Sequence, residues 1–222
     1  MRYKWLFTLL AFNTLTLMAQ RQENPCVYEY LLREKNREGI LKRYSAIYDF
    51  HKGDTLASIG AGSGSKEVVY SMMADSLLFY LQDIDSTCLT SKRIESTISL
   101  LYSAANRAST ATFIASIGTE KETKLPIGFF DKIIIENTLH ELAYPNDLFK
   151  SIRENMKPDG YLYVEDLIAK RPGQKHRGCH KRLFTETALI QLIEENGFSF
   201  VEVTTVFPNN LQDKVFKFSV NP

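Results

Sequence analysis

The stretch Thr55-Leu-Ala-Ser-Ile-Gly-Ala-Gly-Ser-Gly-Ser65 decides the fold. An apolar run ends in Gly60, Gly62 and Gly64, and a helix-compatible segment, Ser65-Lys-Glu-Val-Val-Tyr-Ser-Met-Met73, follows. Glycine at alternate positions lets the chain turn sharply after a strand and removes side chains that would hold a ligand away from the backbone. A helix opening there points free N–H groups at whatever lies over the turn. A second apolar run, Leu77-Leu-Phe-Tyr-Leu81, ends in Gln82-Asp83-Ile84-Asp85. An acid about twenty residues beyond the glycines, on the tip of the neighbouring parallel strand, is placed to accept both hydroxyls of a ribose. Glycine turn plus acid points to a nucleoside-containing ligand.

Outward from this stretch, strands and helices alternate. Apolar residues between Val27 and Phe50 recur at helical spacing among charges, and Gly39 is expected to split them into two helices. Such a segment either caps a ligand cleft or covers the sheet. Ser86 to Ala108 reads as a helix, Thr110 to Ser116 as a short strand, and Phe130-Asp-Lys-Ile-Ile-Ile-Glu136 as a strand buried on both faces. A helix from Leu142 to Met156 is stopped by Lys157-Pro-Asp-Gly160, before a strand at Tyr161–Glu165. Thr185 opens the last helix, and two strands, Phe200–Val206 and Lys214–Val220, close the chain. Alternation of this kind predicts a doubly wound parallel sheet, and the short final connection requires one antiparallel strand.

The 222 residues suit one α/β domain, and Lys+Arg 27 against Asp+Glu 26 gives no electrostatic reason to expect nucleic acid as a partner. The N-terminus departs from this pattern. Arg2 and Lys4 precede an apolar stretch, Trp5 to Met18, which ends at Ala19-Gln20 and turns polar. Basic, apolar and small-residue regions in that order fit a secretory signal. The alternative is a membrane anchor, in which case the protein contacts membrane only through residues 1–19. The expected organisation is 1–19 signal or anchor, 24–52 N-terminal helical cap, and 53–222 main domain. Three cysteines, Cys26, Cys88 and Cys179, cannot all pair within one chain, and they read as isolated, partly buried residues.

The order of Ile59-Gly-Ala-Gly-Ser-Gly64, Leu81-Gln-Asp-Ile-Asp85, Phe129-Phe-Asp-Lys-Ile-Ile-Ile135, Leu139-His-Glu-Leu142 and the block Leu148 to Leu162, with its Lys157-Pro-Asp-Gly160, resembles the class I S-adenosylmethionine-dependent methyltransferases. The helix-like Leu189-Ile-Gln-Leu-Ile-Glu-Glu-Asn-Gly-Phe198 resembles the one before their last hairpin. The resemblance spans residues 45–220. It implies a doubly wound, mostly parallel seven-stranded sheet of Rossmann-like methyltransferase type, with an antiparallel C-terminal strand. It implies S-adenosylmethionine as cofactor, with Gly60, Gly62 and Gly64 at its amino-acid end and Asp83, or Asp85, on the ribose. It places Thr119 beside the adenine, where the family usually has an acid (Glu120 and Glu122 are near), and Glu136 and Asn137 beside the transferred methyl. No Asn/Asp-Pro-Pro-Tyr quartet is present, which favours a small-molecule acceptor.

Methyl transfer is an in-line displacement that needs alignment, and a hydroxyl or thiol acceptor also needs a base within reach. His140, His176 and His180 are the candidates. The last two lie in Ala169-Lys-Arg-Pro-Gly-Gln-Lys-His-Arg-Gly-Cys-His-Lys-Arg182, a basic loop at the carboxyl end of the sheet that reads either as a lid recruiting an anionic acceptor or as a solvated connection. His140-Glu141 would suggest a zinc protease only with a histidine at 144, where Tyr144 stands. Three potential donors in one loop, His176, Cys179 and His180, are a weak metal signal, and no resident metal is expected. The reading is therefore an exported methyltransferase. Its alternative is an exported binding module of the same fold without that activity, because the cofactor is made in the cytoplasm.

Overall fold

The computed structural model describes residues 26–221; the signal or anchor expected at residues 1–19 lies outside them. Seven strands form one sheet in the order β3-β2-β1-β4-β5-β7-β6. β1 (Thr55–Ile59), β2 (Leu78–Asp83), β3 (Thr112–Ile117), β4 (Phe130–Glu136) and β5 (Met156–Leu167) run parallel. β7 (Asn210–Val220) is antiparallel to both β5 and β6 (Phe198–Phe207). The helices between strands are α2 (Ser65–Tyr70), α3 (Ser91–Ala104), α4 (Pro145–Asn155) and α5 (Glu186–Glu194), and α1 (Glu34–Tyr48) precedes the first strand.

Each face of the sheet has its own core. One gathers Ala57, Ile133, Ile135, Leu162 and Val164 against Phe149 and Ile152 of α4 and Leu189 and Ile193 of α5. The other packs Leu56, Phe79 and Ile134 against Tyr44 and Tyr48 of α1 and Val68 and Val69 of α2. Burial on both faces is why Ile133–Ile135 of β4 form a continuous apolar run and why β1 is apolar from Leu56 to Ile59 but for the buried Ser58. At the amino edge of the sheet, Lys132 pairs with Asp54 at 2.5 Å and Lys157 with Asp131 at 2.7 Å. The opposite, carboxyl edge is left for the site.

Three expectations are corrected. Gly39 does not divide the first helical segment: a 3-10 turn, Glu29–Leu32, ends at Arg33, and α1 runs on through Gly39. The buried Arg37 makes that break workable by donating to the Leu31 and Leu32 carbonyls at 2.9 and 2.7 Å. Lys157-Pro-Asp-Gly160 is not a connection before β5 but an irregularity inside it, since the register jumps from Phe130↔Met156 to Lys132↔Tyr161. The cysteines are not all isolated: Cys26 is disulfide-bonded to Cys88, leaving Cys179 free. Among the described residues no helix is long and apolar enough to cross a membrane.

Candidate active site

Three clefts run in a line along the carboxyl edge. One of about 260 Å³ lies between Gly60, Asp83, Thr119 and Leu142. It shares Gly60, Thr138 and Glu141 with a second, of about 410 Å³, over Ala61, Lys66 and Glu136. That one shares Tyr30, Lys66 and Asn137 with a third, of about 650 Å³, roofed by α1.

The glycine turn builds the floor of the first two. Gly60, Gly62 and Gly64 all have positive φ, which L side chains adopt only with strain. A Cβ on Gly60 would also stand 2.5 Å from the Thr138 side chain, and one on Gly64 2.6 Å from Leu81. Gly60 and Ala61 donate to the Gln82 carbonyl, and Gly62 donates to Asp83 Oδ2 at 2.7 Å. Asp83 thus fixes the loop through Oδ2, accepts the Asp85 N–H on Oδ1 at 3.0 Å, and lines the cleft. Asp85 differs: it is exposed, and hydrogen bonds from the Thr87 side chain and then from the Thr87 N–H hold its carboxyl below the usual range. Thr119 lines the cleft, with its hydroxyl accepting the Glu122 N–H at 3.0 Å. Gly118 before it leaves no room for a side chain, since a Cβ would stand 2.6 Å from the Glu122 carbonyl oxygen.

At the tip of β4, Glu136 does not stand as a free anion. Lys66 of α2 is ion-paired with its Oε1, and the Tyr70 hydroxyl donates to Oε2 at 2.9 Å. Asn137 next to it takes a left-handed conformation, φ 51°, and donates its N–H to the Glu165 carbonyl at 2.8 Å. Asparagine tolerates that conformation better than most residues.

The largest cleft is walled by Lys35, Arg43 and Lys66 on one side of the ledger of charge and Glu165, Asp166 and Asp213 on the other. Glu165 is buried and accepts from Tyr44 at 2.8 Å and Tyr48 at 3.4 Å. Burial pushes its carboxyl up to about 7, with Asp213 adding to the rise and Lys66 opposing it. Burial likewise raises the hydroxyls of Tyr44, Tyr48 and Tyr70, so all three remain donors.

Of the three histidines, the structure brings two together. His140 sits in a 3-10 turn, Leu139–Glu141, and Asp166 holds it twice: Oδ1 accepts from Nδ1 at 2.7 Å and Oδ2 from the backbone N–H at 3.1 Å. The hydrogen bond that His140 donates to Asp166 raises the His140 pKa against the opposing effect of burial. The His176 ring lies 4.9 Å from that of His140, centroid to centroid, and lines the 650 Å³ cleft. His180 is exposed on the far side of the loop. The loop's Lys175, Arg177, Lys181 and Arg182 are exposed too, so its positive charge faces solvent, and the half-buried His176 and Cys179 face inward.

Sequence reasoning passed over Lys66, Tyr44, Glu165, Asp166 and Asp213. Two adjacent acids at the end of a buried strand were the available signal for Glu165 and Asp166. Nothing local marks Asp213, which reaches the cleft only because β7 pairs with β5 and sets Leu167 opposite it.

A family profile for a methyltransferase domain matches residues 24–203. Among solved structures, a S-adenosylmethionine-dependent methyltransferase from Aquifex aeolicus aligns with TM-score 0.61 at 17% identity, covering 85% of this chain and 95% of that one. The 1,6-didemethyltoxoflavin-N1-methyltransferase of Burkholderia thailandensis, solved with 1,6-didemethyltoxoflavin and S-adenosylhomocysteine bound, aligns with TM-score 0.60 at 15% identity, covering 87% and 82%. A comparison with curated protein sequences found no match. With the glycine turn, the β2 acid and a profile match over most of its length, the chain belongs to the methyltransferase-domain family.

Proposed function

We propose that the protein is an exported enzyme that methylates a small, polar molecule held in the 650 Å³ cleft under α1. The observation that carries this reading is the continuity of that cleft with the cofactor clefts through Tyr30, Lys66 and Asn137. In this arrangement the smallest cleft takes the adenosine, with Asp83 on the ribose and Thr119 near the base. The middle cleft takes the amino-acid end over Gly60 and Gly62, and the methyl points past Glu136 and Asn137 toward the acceptor. The residues 24–52 serve as the cap. Mixed charge in the wall favours an acceptor bearing both kinds of polar group over a simple anion, and a protein or nucleic-acid surface is not called for.

The acceptor heteroatom attacks the methyl carbon, the carbon–sulfur bond breaks with its electron pair going to sulfur, and the acceptor's proton passes to a base. Glu165 is suited to that role, since a carboxyl raised to about 7 is matched to proton transfer near neutrality. Export is supported by the signal-like N-terminus and by the Cys26–Cys88 disulfide, a bond that persists in oxidising compartments.

The test is calorimetric titration of S-adenosylmethionine and S-adenosylhomocysteine into the disulfide-intact protein, with Asp83→Ala alongside. Losing a charged acceptor from a ribose site costs about 1.5–3 kcal/mol, or about ten- to hundredfold in affinity. No binding of either ligand by folded wild type would overturn the assignment in favour of a non-catalytic module. Fractionation with and without residues 1–19 tests export, which a cytoplasmic full-length product would refute.

A further inference from the structure

We propose that His140, His176 and Cys179 form a binding site for a borderline-soft divalent metal, zinc foremost, with a fourth coordination position open toward the 650 Å³ cleft. The expectation of no resident metal rested on three donors confined to one loop. Here a donor from a different, rigid element completes the set, and the loop's own His180 is excluded.

Four observations converge. One potential ligand atom from each of His140, His176 and Cys179 lies within 4.8 Å of the other two. The His140 side chain is 0% exposed, and its Nε2 has no hydrogen-bond partner among the described residues. A buried ring nitrogen left so is costly, and a metal would satisfy it. With Nδ1 engaged by Asp166, an acceptor only, His140 carries its proton on Nδ1 and presents the Nε2 lone pair. Carboxylate–histidine pairs of this kind orient metal-binding imidazoles and raise their basicity.

The loop supplies the other two ligands in a form suited to metal. His176 and Cys179 stand at i and i+3 across a turn, closed by the bridge between Lys175 and Arg182 and by the His176 N–H donating to the Lys181 carbonyl at 2.8 Å. Their Nδ1 and Sγ atoms are 3.2 Å apart, and Nδ1 also accepts the Cys179 N–H at 3.3 Å, a bond the metal would replace. A two-residue gap between donors is the spacing of structural zinc knuckles. His180, at φ 60°, turns the chain so that its own ring leaves the cluster. Bond lengths of about 2.0–2.3 Å put tetrahedral ligand pairs about 3.3–3.7 Å apart. A contraction of about 1 Å, within reach of an exposed loop, therefore closes the set.

Two imidazoles and a thiolate select zinc-like metals over magnesium or calcium. Three protein ligands leave one position for water or an acceptor heteroatom, the pattern of catalytic rather than structural zinc. Of the three ligands His176 lines the 650 Å³ cleft, which puts the open position at the edge of the space proposed for the acceptor. The site would also pin the basic loop to the tips of β4 and β5.

The experiment strips the full chain with chelator, leaves its disulfide intact, and titrates Co²⁺ followed by Zn²⁺. Wild type is expected to develop tetrahedral d–d absorption and a thiolate-to-cobalt charge-transfer band, saturating at one ion per chain, with Zn²⁺ displacing cobalt. Cys179→Ser should abolish the charge-transfer band, and His180→Ala should change nothing. Asp166→Asn should weaken Zn²⁺ about 10- to 100-fold. Near-ultraviolet dichroism checks folding, and Cys179→Ser keeps the test decisive if Asp166→Asn does not fold. A wild-type titration without tetrahedral bands would overturn the proposal. So would a charge-transfer band that survives Cys179→Ser, or undiminished binding in His140→Gln. None of these readouts depends on methyl transfer.

Discussion

The Tyr44 hydroxyl donates to Glu165 Oε1 at 2.8 Å, joining α1 to the end of β5 across 121 positions of sequence. Tyr48, one helical turn further on, reaches the other oxygen at 3.4 Å. The same bonds that seat α1 on the sheet therefore place its roof over the largest cleft, and they converge on a carboxyl that is buried.

That burial makes stability depend on pH. The Glu165 carboxyl is raised from 4.5 to about 7, so below pH 4.5 it is protonated in folded and unfolded chains alike. Between 4.5 and about 7 the unfolded chain releases the proton while the folded one keeps it, so stability falls as pH rises across that window. The ceiling is about 3 kcal/mol, and Asp213, whose carboxyl burial also raises, acts in the same direction. Urea denaturation from about pH 5 to about pH 8 should show the decline, and Glu165→Gln should flatten it. A wild type that gains stability over that range would contradict the assignment.

Gly60 and Thr138 are packed too closely for a methyl group. Gly60→Ala adds a Cβ 2.5 Å from the Thr138 methyl and hydroxyl at φ 73°, so overpacking and backbone strain should together cost about 2–4 kcal/mol. Thr138→Ala alone loses the bond to the Glu136 carbonyl, about 1 kcal/mol. Combined, the two should cost less than their sum by about 1 kcal/mol or more, because the second removes what the first strikes. A strictly additive cycle in thermal or urea unfolding would show that the turn relaxes away from Thr138.

The disulfide closes a loop of 62 residues between the N-terminal segment and the turn after β2. On the chain-entropy estimate a loop of that length stabilises by about 4 kcal/mol. Cys88→Ser should therefore lower the thermal midpoint by many degrees, whereas Cys179→Ser should leave the metal-free midpoint nearly unchanged. Reductant should move wild type toward Cys88→Ser and leave that variant where it is.

The sheet and the glycine turn were legible in the sequence because their causes are local. Ile133–Ile135 of β4 are apolar without interruption, and β1 is apolar from Leu56 to Ile59 but for Ser58, because both faces are buried, and the turn needs glycine wherever φ is positive or a side chain would collide. Gly39 misled because a helix tolerates one glycine, and its missing side chain instead leaves room in the cleft it lines. His140, His176 and Cys179 could not be grouped from sequence, since their meeting depends on how the loop after β5 folds back over the β4 tip. Alternation along β5 separates Glu165, which accepts from Tyr44, from Asp166, which holds His140, so two neighbouring acids in one cleft wall have different partners. The Cys26–Cys88 bond stayed hidden because an odd cysteine count gives no pairing, and the partners meet only once the N-terminal segment lies beside the loop after β2.

Glu136 offers a test that separates the two forms of the cofactor by charge. Its carboxylate is neutralised by Lys66 at the mouth of the middle cleft, where the sulfonium of S-adenosylmethionine is proposed to lie. Glu136→Gln would leave the Lys66 ammonium unbalanced a few ångströms from that sulfonium, and repulsion at intermediate dielectric costs about 1 kcal/mol or more. S-adenosylhomocysteine, a neutral thioether, feels none of this. The variant should therefore lose about fivefold or more in affinity for S-adenosylmethionine relative to S-adenosylhomocysteine, and raised salt should shrink the gap. Lys66→Met in the same background should restore the ratio by removing the unpaired cation. Equal losses for both ligands would mean that Glu136 shapes the cleft without sensing the sulfur's charge, and the methyl group would then have to be placed elsewhere along the edge.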